Sequence, residues 1–166
     1  MPAFLPFLYE TRELALGRGL AVLTAWAVSN LLISGYLLTV ADRRQPAFFF
    51  HGMNVIWGGI NAALAAYGII DLHPHAPAGL ALAEVLKAQF SLEKTFLFNA
   101  GLDVAYVVAG LWLVARAAVP AAPKPERLLG FGQSLWVQGG FLLVFDGVMW
   151  LAMNRFAGPL LGLVEK

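Results

Sequence analysis

Two aspartates lie inside long apolar stretches of this chain, where an ionisable side chain finds little water. Asp103 comes eight positions after Thr95, and Asp146 comes eight positions before Asn154. On insertion scales an aspartate at the centre of a membrane helix costs about 2.5–3.5 kcal/mol, so the pair carries about 5–7 kcal/mol if it is unpartnered. We therefore expect both carboxyls to face the interior of the protein.

The spacing of the two aspartates places them at one level. At 1.5 Å per residue, eight residues put each carboxyl about 12 Å from the same end of its helix. The two helices are expected to be antiparallel neighbours, so the carboxyls can meet across one interface. Two carboxyls that meet away from water cannot both ionise freely, and we expect them to share a proton or to bind a cation.

Amides and a tyrosine accompany the acidic pair on the same helical faces. Asn99, Asp103 and Tyr106 follow an i, i+4, i+7 pattern, which is one face of a helix. With the two aspartates, the predicted ligand- or ion-binding set comprises Asp103, Asp146, Asn61, Asn99, Tyr106, Gln138 and Asn54. The alternative is structural, since such groups also join membrane helices, for only about 0.6 kcal/mol each. For Asn54, Asn61 and Gln138 taken singly, structural packing is the favoured interpretation.

The elements that must position these residues are four apolar segments, each long enough to cross a bilayer as a helix. About 20 apolar residues span the hydrocarbon core of about 30 Å. Hydrophobic residues make up 60% of the 166 residues and charged residues 13%, too few charges for the surface of a soluble domain. The sequence predicts an all-α membrane protein, a single four-transmembrane-helix bundle over residues 1–166. Its spans are Gly19–Val40, Phe48–Ile70, Thr95–Ala118 and Phe131–Asn154.

The segments outside the spans have weaker signals. Leu80–Lys94 has an amphipathic pattern, which predicts a helix that lies at the membrane interface or runs straight into the third span. Leu5–Arg18 could be a second interfacial helix. Each half of the chain pairs two spans around a short basic loop, so the halves could form a parallel two-span repeat.

Small residues recur every fourth position in the second and third spans. Such rows let helix backbones approach closely in a membrane. The two rows are Gly58, Ala62 and Ala66 in one span, and Gly101, Ala105 and Ala109 in the next.

Several chemical classes are excluded by composition. The chain has no cysteine, which removes disulfides, thiolate metal sites and iron–sulfur clusters. Its formal net charge is +1 and its longest basic run is Arg43-Arg44, so a nucleic-acid partner is not expected. His51 and the His73–His75 segment fall at opposite ends of the spans and cannot form one haem site. The sequence therefore indicates no cofactor and no metal centre.

Two stretches carry a resemblance to a known family. Asn99–Tyr106 reads N-A-G-L-D-V-A-Y, and Gly130–Asp146 reads G-F-G-Q-S-L-W-V-Q-G-G-F-L-L-V-F-D. With these stretches the chain resembles a bacterial four-helix membrane family known only as a domain of unknown function. The resemblance implies a fold and a bacterial origin, and it implies no role for any residue.

The connections predict an orientation. Four spans place both termini and the 71–94 connection on one side, here side A, and the two short loops on side B. Side B carries most of the short-loop basic residues, so the positive-inside rule favours side B as cytoplasmic, with both termini outside a bacterial inner membrane. These basic residues are Arg43, Arg44, Arg116, Lys124 and Arg127.

Three functional hypotheses remain open. In the leading one, the acidic interior binds, senses or passes a small ligand, cation or proton, and a pore would need a homodimer. In the second, the chain is an accessory or scaffold subunit beside a partner membrane subunit. In the third, the aspartates form an intramembrane hydrolase, although Gly101-Leu102-Asp103 does not match the G-x-G-D pattern of intramembrane aspartyl proteases. The expected surroundings in every case are the lipid bilayer.

Overall fold

A computed structural model describes residues 4–164, and every regular element in this range is helical. A π-helical turn interrupts the first rod and separates α1 from α2. Pro46 and Pro125 open α3 and α5, positions where the missing proline N–H has no helical partner to lose. The elements are α1 (Phe4–Ser29), the π-helical turn (Asn30–Ser34), α2 (Gly35–Val40), α3 (Pro46–Ile70), α4 (Leu82–Ala117) and α5 (Pro125–Leu161).

The predicted all-α four-helix architecture is confirmed. Within the described residues, four helical rods are long and apolar enough to cross a membrane. Three of them, Phe4–Val40, Leu82–Ala117 and Pro125–Leu161, have 36 or 37 residues. At 1.5 Å per residue these rods are about 54–56 Å long, well beyond a hydrocarbon core of about 30 Å. Most of the excess length lies at side A.

The side-A extensions of the rods pack on one another. Leu8 from α1, Val85 from α4 and Leu160 from α5 form a buried apolar cluster. Of the two arrangements expected for residues 80–94, the structure has the one in which the segment continues into the third span, because α4 runs without a break from Leu82. Leu5–Arg18 is likewise the first half of α1 rather than a separate helix.

Helix α5 is the centre of the bundle. It packs against α1, α3 and α4, whereas α4 packs backbone to backbone only on α5 in the described part of the chain. Glycines permit this close approach: a Cβ on Gly110 would lie 2.7 Å from the Gly132 carbonyl oxygen. In the described residues α3 and α4 make few close backbone contacts, which leaves a gap between those two helices.

The two predicted rows of small residues have different roles. A Cβ on Gly58 would lie 3.2 Å from the Ala27 carbonyl oxygen, so this glycine lets α3 approach α1. The row Gly101, Ala105 and Ala109 is exposed on the outside of α4, and a Cβ on Gly101 would meet nothing within 4 Å. That second row makes no close helix approach to any other described part of the chain.

Candidate functional site: an acidic pair beside a cavity

The α4–α5 interface brings the two aspartates to the same level. Gly139 lies two turns from Asp146, and a Cβ on it would approach the Asp103 carbonyl oxygen to 3.1 Å. This backbone contact fixes the height of Asp103 against α5. Both aspartate side chains point inward, since Asp103 is 3% exposed and Asp146 is 5% exposed.

The two carboxyls contact each other. The Asp103 and Asp146 side chains lie close enough to interact, and Asn99 lies close to Asp146. A hydrogen bond between two carboxyl groups requires a proton on one of them, because two ionised carboxylates can only accept. The geometry therefore fits a pair that holds a shared proton.

A cavity of about 190 Å³ adjoins the pair. Its polar lining comes from α3, α4 and α5, and its apolar floor includes Leu23 of α1 and Leu142 of α5. Trp57 of α3 and Tyr106 of α4 meet edge to face across it, with ring centroids 5.0 Å apart. The polar residues that line it are Asn61, Asn99, Asp103, Tyr106 and Asp146.

Two buried polar atoms at this cavity have no hydrogen-bond partner among the described residues. They are the Nδ2 of Asn61 and the Oδ2 of Asp103, and both residues line the cavity. One is a donor and the other an acceptor. A buried polar group without a partner costs about 1–3 kcal/mol, which a ligand or ordered water supplying the missing bonds would recover.

A second polar layer lies closer to side B and is closed. Gln138 donates from Nε2 to the Asn30 Oδ1 at 2.7 Å and to the Asn54 Oδ1 at 3.0 Å, and its Oε1 accepts from the Trp26 indole at 2.9 Å. Ser134 donates to the same Asn54 oxygen at 2.6 Å. This network ties α1, α3 and α5 together.

The π-helical turn belongs to the second layer. It begins at Asn30, whose Nδ2 donates to the Trp26 carbonyl oxygen at 2.8 Å. A wider turn at this point places the Asn30 carboxamide over Gln138, and π-helical turns are often found where side chains need such placement.

Comparison with known proteins assigns the chain to a family. A family model described as a family of unknown function (DUF6992) matches residues 22–147. The chain belongs to the DUF6992 family. The matched range contains both polar layers of this DUF6992 chain and ends just after Asp146. No curated protein and no solved structure matched it.

The structure divides the predicted site residues of this DUF6992 protein between the two layers. Asp103, Asp146, Asn61, Asn99 and Tyr106 come together around the cavity. Gln138 and Asn54 do not reach it, because their polar atoms are engaged with α1 and Ser134.

Sequence reasoning missed three side chains that matter at these layers. Trp57 closes one wall of the cavity, while Trp26 and Ser134 complete the second network. A signal for two of them was present in the spacing: Trp26 and Asn30, and likewise Ser134 and Gln138, are four residues apart and share a helical face.

The donor set at the cavity is oxygen and amide nitrogen only. In the residues that the structure describes, no group of three or more histidine, cysteine or acidic side chains could hold a metal ion. The His73 backbone N–H donates to the Glu13 Oε2 at 3.1 Å. This contact lies at the side-A half of α1, away from the acidic pair. What the cavity can do chemically is hold a proton and exchange hydrogen bonds with a small guest.

Proposed function

We propose that this protein is a multi-pass membrane protein that binds a small ligand at the Asp103–Asp146 pair, with a proton shared between the two carboxyls. The observation that carries the proposal is the contact of two buried carboxyls beside a cavity that holds an unpartnered donor and an unpartnered acceptor. A pair that only joined two helices would need no adjoining cavity.

The surroundings of the pair support proton binding. In the part of the chain that the structure describes, Tyr106 is the one other titratable side chain that lines the cavity. The walls from α1 and α3 contribute Leu23, Trp57, Ile60, Asn61 and Leu64, none of which can carry charge. With no basic side chain facing it, the pair depends on a proton or a guest to offset its negative charge.

The test is the pH dependence of thermal unfolding for the full chain in lipid nanodiscs. Raising the pH from about 5 to about 9 removes the shared proton and leaves like charges in contact, so the melting temperature should fall by about 3 °C or more. The double variant Asp103→Asn plus Asp146→Asn keeps the shape of the site and removes both ionisable groups. Its melting temperature should lose this pH dependence.

A matched control makes the same change in charge elsewhere. Asp42 and Asp71 are exposed in the connections, and Asp42→Asn plus Asp71→Asn should retain the fall of the natural protein. If the variant at Asp103 and Asp146 kept the same pH dependence as the control, the proposed site would be wrong.

The proposed orientation puts side B in the cytoplasm of a bacterium and both termini outside the inner membrane. The support is the excess of Lys and Arg in and beside the two short side-B loops, where Arg43, Arg44, Arg116, Lys124 and Arg127 stand against Asp42 and Glu126. Because the natural sequence has no cysteine, each introduced thiol is unique.

Single-cysteine variants test the orientation. Ala78→Cys lies in the side-A connection and Lys124→Cys in a side-B loop, and both positions are exposed. In spheroplasts with an intact inner membrane, a membrane-impermeant maleimide should label Ala78→Cys and should not label Lys124→Cys. The reverse labelling would invert the orientation.

A second candidate, an accessory subunit or homodimer, is favoured by the outward row Gly101, Ala105 and Ala109. Small residues on a lipid-facing surface suit close packing against a helix of another chain. Ala105→Leu should then reduce the stoichiometric complex or dimer isolated in mild detergent, while Val144→Leu on exposed α5 should not. An unchanged lone species for all three proteins would count against this candidate.

A further inference from the structure

The cavity beside the acidic pair opens sideways between α3 and α4. Within the described residues these two helices make few close backbone contacts, and the Trp57–Tyr106 ring contact joins them. Among the residues that line the cavity, the exposed ones are Ile60 and Leu64 of α3 and Leu102 of α4. The mouth is therefore aliphatic, and it lies on the face that a bilayer would cover.

The polarity of the cavity changes from the mouth to the inner end. Aliphatic side chains form the mouth, whereas the inner end holds the Asp103 carboxyl, 3% exposed, and the Asn61 amide, 1% exposed. A guest that follows this gradient has an apolar body and a polar head group. A hydrated ion would have to cross the hydrocarbon to reach this mouth, which is unfavourable.

The inner end also selects the charge of the head group. Two carboxyls with one proton between them carry one negative charge, and among residues 4–164 no Lys, Arg or His lines the cavity. Trp57, Tyr106 and Phe145 supply aromatic rings, whose faces attract cations. Carboxylate and aromatic groups together are the surroundings in which proteins hold organic ammonium groups.

We propose that the ligand is a lipophilic amine that reaches the cavity from the membrane, between α3 and α4. The ammonium group donates to the unpartnered Oδ2 of Asp103. A hydroxyl on the neighbouring carbon accepts from the unpartnered Nδ2 of Asn61, which makes an amino alcohol the preferred head group. This inference rests on the proposed function and adds the chemical class and the route.

The size of the cavity agrees with a head group and a protruding tail. At about 30 Å³ for each water-sized group, 190 Å³ accommodates about six such groups. The ammonium, the hydroxyl and the first few carbons fill it. The remaining carbons of a long chain would pass between Leu64 and Leu102 into the hydrocarbon.

Tail-matched probes test the head group on the full chain in nanodiscs. Dodecylamine should raise the melting temperature more than dodecanol does, and the dodecylamine derivative with a hydroxyl on the neighbouring carbon should raise it most. Apparent affinity for the amine should fall about tenfold or more in Asp103→Asn plus Asp146→Asn, because a charge-assisted hydrogen bond is lost. Affinity should also fall at low pH, since protons and the amine compete for the same oxygens.

Variants at the mouth test the route. Leu64→Trp and Leu102→Trp should block amine binding and keep the pH-dependent unfolding, because the carboxyls are untouched. Val144→Trp is the matched control: Val144 is 66% exposed and lines a separate apolar groove between α1 and α5. It should leave amine binding unchanged.

Each result decides a separate part of the proposal. Equal stabilisation by dodecanol and dodecylamine, or an undiminished amine response in the aspartate variant, would overturn the ligand class. Loss of binding in Val144→Trp but not in the mouth variants would move the site to the other groove. Equal response to the amine and the amino alcohol would overturn the role of Asn61. The proposed function fails separately, through pH dependence that survives without the aspartates.

Discussion

The two polar layers of this bundle are built from similar residues, yet one is closed and the other is open. In the layer nearer side B, Gln138 makes three hydrogen bonds, and no buried side-chain oxygen or nitrogen of that network lacks a partner in the described structure. In the acidic layer, one oxygen of Asp103 and the amide nitrogen of Asn61 have none, and a cavity lies beside them.

This difference separates structural polarity from functional polarity. A satisfied network in an apolar interior orients helices and needs nothing further. An unsatisfied donor and acceptor beside a cavity cost free energy, which a ligand or ordered water that supplies the missing bonds would recover. The acidic layer also lies where α3 and α4 make few close backbone contacts in the described residues, so the open polar groups coincide with a gap between these helices.

The largest expected effect tests the contact that holds α4, and with it Asp103, against α5. A Cβ on Gly110 would lie 2.6 Å from the Trp136 backbone nitrogen, so Gly110→Ala must push α4 away from α5. We expect a loss of about 2–3 kcal/mol in the free energy of unfolding and a weaker pH dependence. Gly101→Ala on the open face of α4 is the control and should be neutral or slightly stabilising. The measurement is unfolding in a denaturing detergent. Equal changes in the free energy of unfolding for the two substitutions would contradict this packing.

An intermediate effect is expected in the closed layer. Gln138→Leu keeps the approximate volume and removes three hydrogen bonds, which at about 0.6 kcal/mol each lowers the free energy of unfolding by about 2 kcal/mol. The dependence of unfolding on pH should not change, because the acidic pair is elsewhere. If Gln138→Leu abolished that pH dependence, the two layers would be one coupled site, and the distinction between a closed and an open layer would be wrong.

The smallest effect on stability is expected for Asn61 in the open layer, and it gives the clearest contrast with Gln138. Asn61→Leu also replaces a buried amide, but the Asn61 nitrogen has no partner to lose. We expect stability to be unchanged or to rise by up to about 1 kcal/mol, since a desolvated donor is removed. Equilibrium unfolding of Asn61→Leu and Gln138→Leu side by side measures the difference. A loss for Asn61→Leu as large as that for Gln138→Leu would show that Asn61 is already satisfied.

Much of the acidic layer could be predicted from the sequence because helices are regular. The eight-residue offsets of Asp103 and Asp146 from the ends of their spans put them level, and the i, i+4, i+7 pattern placed Asn99 and Tyr106 on the same face. Because an aspartate that faces lipid is costly, both carboxyl groups are expected to point into the bundle. These arguments need only the rise and turn of a helix.

The remaining features depend on contacts between distant segments. Gln138 shares a broad face with Asp146, but its partners are Trp26 and Asn30 on α1, and a π-helical turn that no periodicity reveals sets the position of Asn30. The length of α1 beyond the membrane depends on Leu8 meeting Val85 and Leu160. The lateral opening of the cavity depends on which helices make few contacts with each other. The pattern of apolar spans does not specify those contacts.

The most direct measurement is infrared difference spectroscopy of the full chain in lipid at neutral pH, compared with Asp103→Asn plus Asp146→Asn. Membrane burial and a shared proton predict the carbonyl stretch of a protonated carboxyl in the natural protein, absent from the variant and shifted when the amine binds. A natural protein with only ionised carboxylate bands, or a protonated band that persists without these two aspartates, would contradict the account.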